Sequence, residues 1–265
     1  MTSAADKRRR RKAERAARRE AARKAAARRE LFRRIRVAVG LGVAVAAALL
    51  LVAFLSGRGE QLPEAYLEYR RQPTACGAEP PPPLTPMSFE EPEDQGLSPD
   101  DVVTAVLNTS CGPITLRLDP AAAPQSVNSF VFLARAGFYD GTVFHRVVPD
   151  LLVQGGDPTA TGRGGPGYTV PDEFPPPDFV YRPGMAAMAN TGRGTTGSQF
   201  FIVVGVEAEA LNPTFNLLGE MVDGRETLDR IVSVPLAIQG VTVERSRPLE
   251  TVYLESVEVV VEPAG

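Results

Sequence analysis

From residue 102 onward, apolar and polar positions alternate in short runs broken by glycine, proline and aspartate, the pattern of strands half-buried in a sheet. Residues 102–108 and 114–118 alternate this way on either side of Cys111-Gly112-Pro113 and predict a hairpin. Further strands are expected near 143–147, 152–155, 185–188, 200–204, 217–221 and 249–261. The period lengthens over 124–136, where Val127, Phe130, Val131 and Ala134 share one helical face. Pro124 stands in that helix's first turn and Gly137 stops it. Residues 225–232 read as a second helix. Many short strands with two helices predict a mainly β domain over 101–265, a closed antiparallel barrel with helices over its ends.

Upstream of residue 101 the pattern is different. Residues 37–55 hold no charge or strongly polar group and would extend about 28 Å as a helix, just enough to cross the hydrocarbon core of a bilayer. A cleaved signal peptide is the rival reading. The long basic region before the stretch and the lack of a clear A-x-A site after it favour an uncleaved transmembrane anchor. Residues 1–36 are a basic tail in which Glu14/Arg18, Glu20/Lys24 and Glu30/Arg34 are spaced to support a helix. The positive-inside rule puts this tail in the cytoplasm and the rest of the chain outside, in a single-pass cell-membrane topology. Residues 7–36 are then placed to meet anionic lipids. A nucleic-acid-binding arm is the other reading of such a run, and no nucleic-acid partner is expected. Residues 56–100, with Pro80-Pro81-Pro82-Pro83, read as a semi-extended linker whose one short helical candidate is 63–71.

Charge sharpens this division. The net charge of the 265 residues is −3, yet residues 1–36 carry 16 Lys or Arg against 4 acids and the remainder 13 Arg against 28 acids. The two parts are built for different surroundings. The residue inventory excludes whole classes of chemistry. With one histidine and two cysteines far apart, a four-ligand structural zinc site lacks ligands, and no metal or other cofactor is expected. No G-x-S-x-G elbow is present for a serine triad, and with no lysine beyond Lys24 there is no phosphate-binding loop. Cys76 and Cys111 are either a disulfide pinning the linker to the domain, permissible outside the cell, or two unrelated thiols. Asp157 and Asp172 are expected to cap turns rather than to form a carboxylate pair.

Two stretches carry the candidate chemistry. In the first, Arg146 precedes Gln154 by eight residues, with a Pro149-Asp150 turn between two apolar runs and Gly155-Gly156-Asp157 after them. A hairpin here sets a guanidinium and a carboxamide beside an apolar patch. The second, from Met188 to Ile202, is a loop of glycines and small residues whose backbone can approach a ligand closely, leading into Phe200-Phe201. Phe144-His145-Arg146, Gln154-Gly155-Gly156-Asp157, Met188-Ala189-Asn190 and Gly197-Ser198-Gln199-Phe200-Phe201 resemble the cyclophilin family of peptidyl-prolyl cis-trans isomerases. The resemblance covers the whole body from residue 102 and none of the anchor.

That resemblance implies an eight-stranded barrel with a groove on its outer face for proline-containing peptides and unfolded or exported proteins. Arg146 takes the catalytic position. Gln154 and Gln199 become polar groove residues, Asn190 offers backbone groups with Ala189 and Thr191 beside it, and Phe201 walls the proline pocket. Leu151, Leu152, Leu211 and Phe215 surround that wall. His145 is expected to be a hydrogen-bonded strand residue, since isomerisation moves no proton. Leu151 and Leu152 stand where many relatives carry Phe and Met, and Glu209 or Ala210 where a large aromatic is usual. Lower turnover and weak cyclosporin binding are therefore expected. The alternative function is a proline-binding or holdase module with little catalysis.

Overall fold

The computed structural model describes residues 62–238 and 244–264. The basic tail at 1–36 and the apolar stretch at 37–55 lie outside the described residues. Among those described, no helix is long and apolar enough to cross a membrane.

The alternation that opens the domain produces the expected strands. In β1 (Val102–Thr109), Val103, Ala105 and Leu107 are fully buried while their neighbours face outward, and a tight turn returns the chain along β2 (Gly112–Leu118). A helix, α2 (Pro124–Arg135), follows, then β3 (Thr142–Val143), β4 (Arg146–Val148) and β5 (Leu152–Gly155). The sheet continues through β6 (Met185–Met188), β7 (Phe200–Val203) and β8 (Leu217–Asp223). After α3 (Arg225–Val232) comes a small hairpin, β9 (Leu236–Ile238) and β10 (Arg245–Pro248), and β11 (Tyr253–Glu262) ends the fold. An earlier helix, α1 (Glu64–Arg70), precedes them all.

One curled sheet runs β3-β11-β1-β2-β8-β6-β7-β5-β4, antiparallel throughout, with β9 and β10 as a separate pair. This corrects the expected closed eight-stranded barrel: the sheet has nine strands, and no ladder joins its edges β3 and β4. Among the described residues, an isolated bridge between Val143 and Asp157 crosses the seam. The two edge strands are pieces of the single strand expected at 143–147. Its first part pairs with β11 and its second with β5, so Phe144-His145 is where the chain leaves one neighbour for the other. Twist between adjacent strands favours such a transfer, because an extended segment cannot stay in register with two diverging partners.

Helix α2 lies against β11 and α3 against β2. The core between them gathers Leu107, Ile114, Leu116, Phe130, Phe144, Phe200 and Ile202, with Phe130, Tyr139 and Phe200 meeting edge-on or tilted at 5.1–5.7 Å. Helix α2 begins at Pro124, and Ala123 before it has no capping side chain. Its free amides are met from a distance: Glu173 accepts from the N–H groups of Gln125 and Ser126 at 2.9 Å each. A carboxylate there also complements the positive end of the helix dipole.

The proline-rich stretch, expected to be a semi-extended linker, is from residue 62 on part of the packed body. Tyr66 and Tyr69 of α1 are buried. The Tyr66 hydroxyl donates to Gly141 O at 3.0 Å and accepts from Leu84 N at 3.1 Å. Farther along, Phe89 packs edge-on against Phe132 of α2. Cys76 and Cys111 are joined in a disulfide, which settles the open choice in favour of the bridge. Hydrophobic rings spaced along a chain rich in Pro and Glu leave no helical or strand period, so this packing was invisible to periodicity.

Candidate active site

Register builds the site. Arg146 on β4 stands opposite Gln154 on β5, Gln154 opposite Phe201 on β7, and Phe201 opposite Ala187 on β6. These four residues form one row across four strands. At about 4.8 Å per strand the guanidinium and the Phe201 ring are set roughly 10 Å apart at the backbone, the span of a short peptide. Because side chains alternate, Val153, Ile202 and Ala186 point to the core while Leu152, Phe201, Ala187 and Val203 form a second apolar cluster on the opposite face. That is why Phe200-Phe201-Ile202-Val203 is apolar without a break: both faces of β7 are covered.

The apolar half of the site is this second cluster. Leu151, Ala189, Leu211 and Phe215 pack on it beside Leu152 and Phe201, and the Phe201 and Phe215 rings meet edge-on at 5.3 Å. The polar half is a chain of side chains. Arg146 Nη1 lies 3.5 Å from Gln154 Oε1, Gln154 Nε2 donates to Gln199 Oε1 at 3.0 Å, and Gln199 Nε2 donates to Gly164 O at 2.9 Å. Gln154, Ala189, Asn190, Thr191 and Gln199 line a cavity of about 270 Å³ together with Arg163, Gly164 and Thr195. A larger cavity of about 340 Å³ around Arg117 and Met185 contains none of the residues singled out from the sequence.

All eleven expected positions are thus gathered on one face, in two adjoining halves that share Ala189. The Asn190 amide is committed within the protein: it donates to Thr214 O at 2.7 Å and accepts from Gly192 N at 3.1 Å. Asp157 is fully buried and holds the loop over the polar half, accepting from the N–H groups of Thr159, Thr161, Gly162 and Arg163. Asp172 accepts from Gly194 N at 2.8 Å. Both aspartates organise turns, as expected. Gly156, at φ +79°, must be glycine because a Cβ would lie 2.7 Å from Ser198 O.

His145 sits in the break between β3 and β4 rather than inside a strand, and its ring is buried. Burial holds its pKa below the ordinary imidazole value.

The comparisons with known proteins agree with this geometry. The family model of cyclophilin type peptidyl-prolyl cis-trans isomerases matches residues 104–259. The chain belongs to the cyclophilin family. It is 41% identical over 177 residues to a probable peptidyl-prolyl cis-trans isomerase A of Mycobacterium bovis, covering 61% of this chain and 94% of that one. Against peptidyl-prolyl cis-trans isomerase B of Streptomyces anulatus the identity is 41% over 172 residues, with 58% and 95% covered. Among solved structures, a cyclophilin of Cryptosporidium parvum superposes with a TM-score of 0.54 at 29% identity, covering 61% of this chain and 99% of that one. A second structure of that protein was determined in the presence of the dipeptide Ala-Pro. The domain is a cyclophilin-type peptidyl-prolyl cis-trans isomerase, a family that acts on proline-containing peptides.

Three parts of the cyclophilin site escaped the sequence reading. Tyr181 is fully buried beneath Phe201 and Phe215, and its hydroxyl donates to Phe215 O at 2.6 Å and accepts from Phe215 N at 3.0 Å. Burial raises its pKa to about 12. It fixes the loop that carries Phe215, and it lies in a proline-rich segment whose aromatics show no helical or strand period. Arg163 and Gly164 lie in a glycine-rich loop that has no period to read. Glu244, on the approach to β10, forms a two-pronged ion pair with Arg146, Nε and Nη2 to Oε1 and Oε2, at 3.0 Å each. A carboxylate 98 residues away in sequence gives no local sign of that pairing.

Proposed function

We propose that Arg146 accelerates rotation about X-Pro bonds bound across the row from Gln154 to Phe201, with the proline ring against Phe201, Leu152, Leu211 and Phe215. The observation that carries this reading is the register, which sets one guanidinium beside an apolar aromatic wall. Rotation crosses a barrier of roughly 20 kcal/mol because amide resonance must be broken. No bond to carbon is made or cut, so the reaction asks for a hydrogen-bond donor and a shaped apolar surface. As the bond twists, the lone pair localises on the prolyl nitrogen and becomes an acceptor. An arginine N–H, charged at all physiological pH values, can donate to it and so favour the twisted state over either planar one. The ring stays fixed in the apolar half while the preceding carbonyl turns. Lowering the barrier by about 7 kcal/mol corresponds to roughly a 10⁵-fold acceleration.

The substrates we infer are exported or envelope proteins, presented to a domain held outside the cell by a single-pass anchor at residues 37–55, with the basic tail at 7–36 against anionic lipid. Support for that placement comes from the apolar length of 37–55, the charge asymmetry around it and the disulfide between Cys76 and Cys111. A binding module with little catalysis is the second reading. It draws on Glu209 and Ala210, which are exposed where a large aromatic is usual in relatives. A protease-coupled isomerisation assay on the full chain separates the two. Wild type should accelerate isomerisation and Arg146→Ala should lose at least about 100-fold of it, about 2.7 kcal/mol of transition-state stabilisation. No acceleration by the wild-type chain would favour the binding module.

A further inference from the structure

The ion pair on Arg146 has a consequence for how the arginine works. A guanidinium offers its donors along distinct edges. Glu244 occupies the edge made by Nε and Nη2, and Nη1 is turned toward Gln154, along the row that leads to Phe201. Without that carboxylate, a long side chain whose own exposure is 29% would be free to swing among rotamers. Glu244 is itself held. Arg146 and the hydroxyl of Ser246, a residue only 1% exposed, both hydrogen-bond to it and keep its carboxyl below the ordinary glutamate pKa. Strand β10, which follows it, packs on β4 and is braced from behind: Arg247 pairs with Glu68 at 2.8 Å and stacks over the Tyr69 ring at 5.1 Å, while the Tyr69 hydroxyl donates to His145 O at 3.1 Å. The carboxylate and the strand bearing Arg146 are therefore tied to the same helix, α1.

We propose that Glu244 is a positioning residue for Arg146, fixing the guanidinium with its Nη1 edge toward the bound X-Pro bond before substrate arrives. This rests on Arg146 being the catalytic residue. Orientation in advance acts on the rate step more than on binding, because it removes a rearrangement that would otherwise be made in the transition state. A carboxylate could act in the opposite sense, as a brake that neutralises the guanidinium and competes with the peptide. Two facts argue for orientation. The pair leaves Nη1 and one N–H of Nη2 outside the carboxylate's grip, and the held edge is the one away from Gln154.

The test is a double-mutant cycle on the full chain, with kcat and KM measured separately on an Ala-Pro peptide, and Glu244→Gln chosen because it keeps the size of the side chain. Glu244→Gln should lower kcat about 5-fold to 10-fold with KM changed less than about 2-fold, and should lower kcat no further in an Arg146→Ala background. In ¹⁵N spectra the Arg146 Nε–H should exchange with solvent faster in Glu244→Gln than in wild type. A pair this exposed contributes little to folding, so Tm should stay within about 2 °C. A rise in kcat would overturn the proposal in favour of the brake. Equal losses in both backgrounds, or an unchanged Nε–H, would also overturn it. If Arg146→Ala alone retains full activity, the assignment of Arg146 fails first, and that result is read directly from the single variant.

Discussion

At the scale of single residues, the site depends on which neighbour each side chain leans on. Phe201, the proposed wall of the groove, is 2% exposed and stacked edge-on against Phe215 within a packed cluster. Phe201→Ala should therefore raise KM for Pro peptides and also destabilise the fold by about 3–5 kcal/mol, measured by denaturant unfolding. Leu151 and Leu152 keep the pocket apolar without aromatic faces, and turnover and cyclosporin affinity should both fall below those of relatives with Phe and Met there. A rate assay with inhibitor titration checks this. His145 gives a pH prediction. Its folded pKa lies below the ordinary 6.5 because the ring is buried, so as pH falls through 6.5 the unfolded chain takes up the proton first. Stability from this residue is complete above about pH 6.5 and is lost progressively below it, and chemical denaturation of His145→Gln should show a shallower acid slope. Sequence motifs identified Arg146, Gln154, Asn190, Gln199 and Phe201, whose neighbours along the chain are distinctive. They gave no sign of Tyr181 or Glu244, which act through partners 34 and 98 residues away.

At the scale of elements, strands were legible in two ways: β1 and β2 by period two, enforced by a single buried face, and β7 as a short unbroken apolar run with both faces covered. Hairpin β9–β10 was missed because Arg245-Ser246-Arg247-Pro248 shows no apolar alternation: what is buried on β10 is a serine and a proline. The split of the strand at 143–147 was equally hidden, since a change of hydrogen-bonding partner leaves side-chain polarity untouched. Helix α1 was expected from the sequence, but its attachment was not. Its grip on the body is open to direct test. Tyr66→Phe strands Gly141 O and Leu84 N, two buried backbone groups, and should cost about 1–3 kcal/mol by denaturant unfolding. Reducing the Cys76–Cys111 bridge, which closes a separation of 35 residues, should cost about 4 kcal/mol on the chain-entropy argument. A Cys76→Ser/Cys111→Ser variant with unchanged stability would show that packing alone holds the segment.

For the whole molecule, the mainly β architecture followed from many short strands, and the family from four motifs in order. The expected closure of the barrel was wrong, because closure is decided by strand pairing at one seam, which side-chain pattern does not encode. The linker's packing did not follow, because its buried rings are isolated among prolines. What emerges is a cyclophilin domain whose segment from residue 62 on braces the strand that carries Arg146. The central claim is that this arginine turns a proline-binding surface into an isomerase. It is tested most directly by exchange NMR on an Ala-Pro peptide with wild type and Arg146→Ala side by side. The account predicts rapid cis/trans exchange cross-peaks with wild type, and with Arg146→Ala the same binding-induced shifts but almost no exchange. Equal exchange with both proteins, or binding without exchange by wild type, would contradict it.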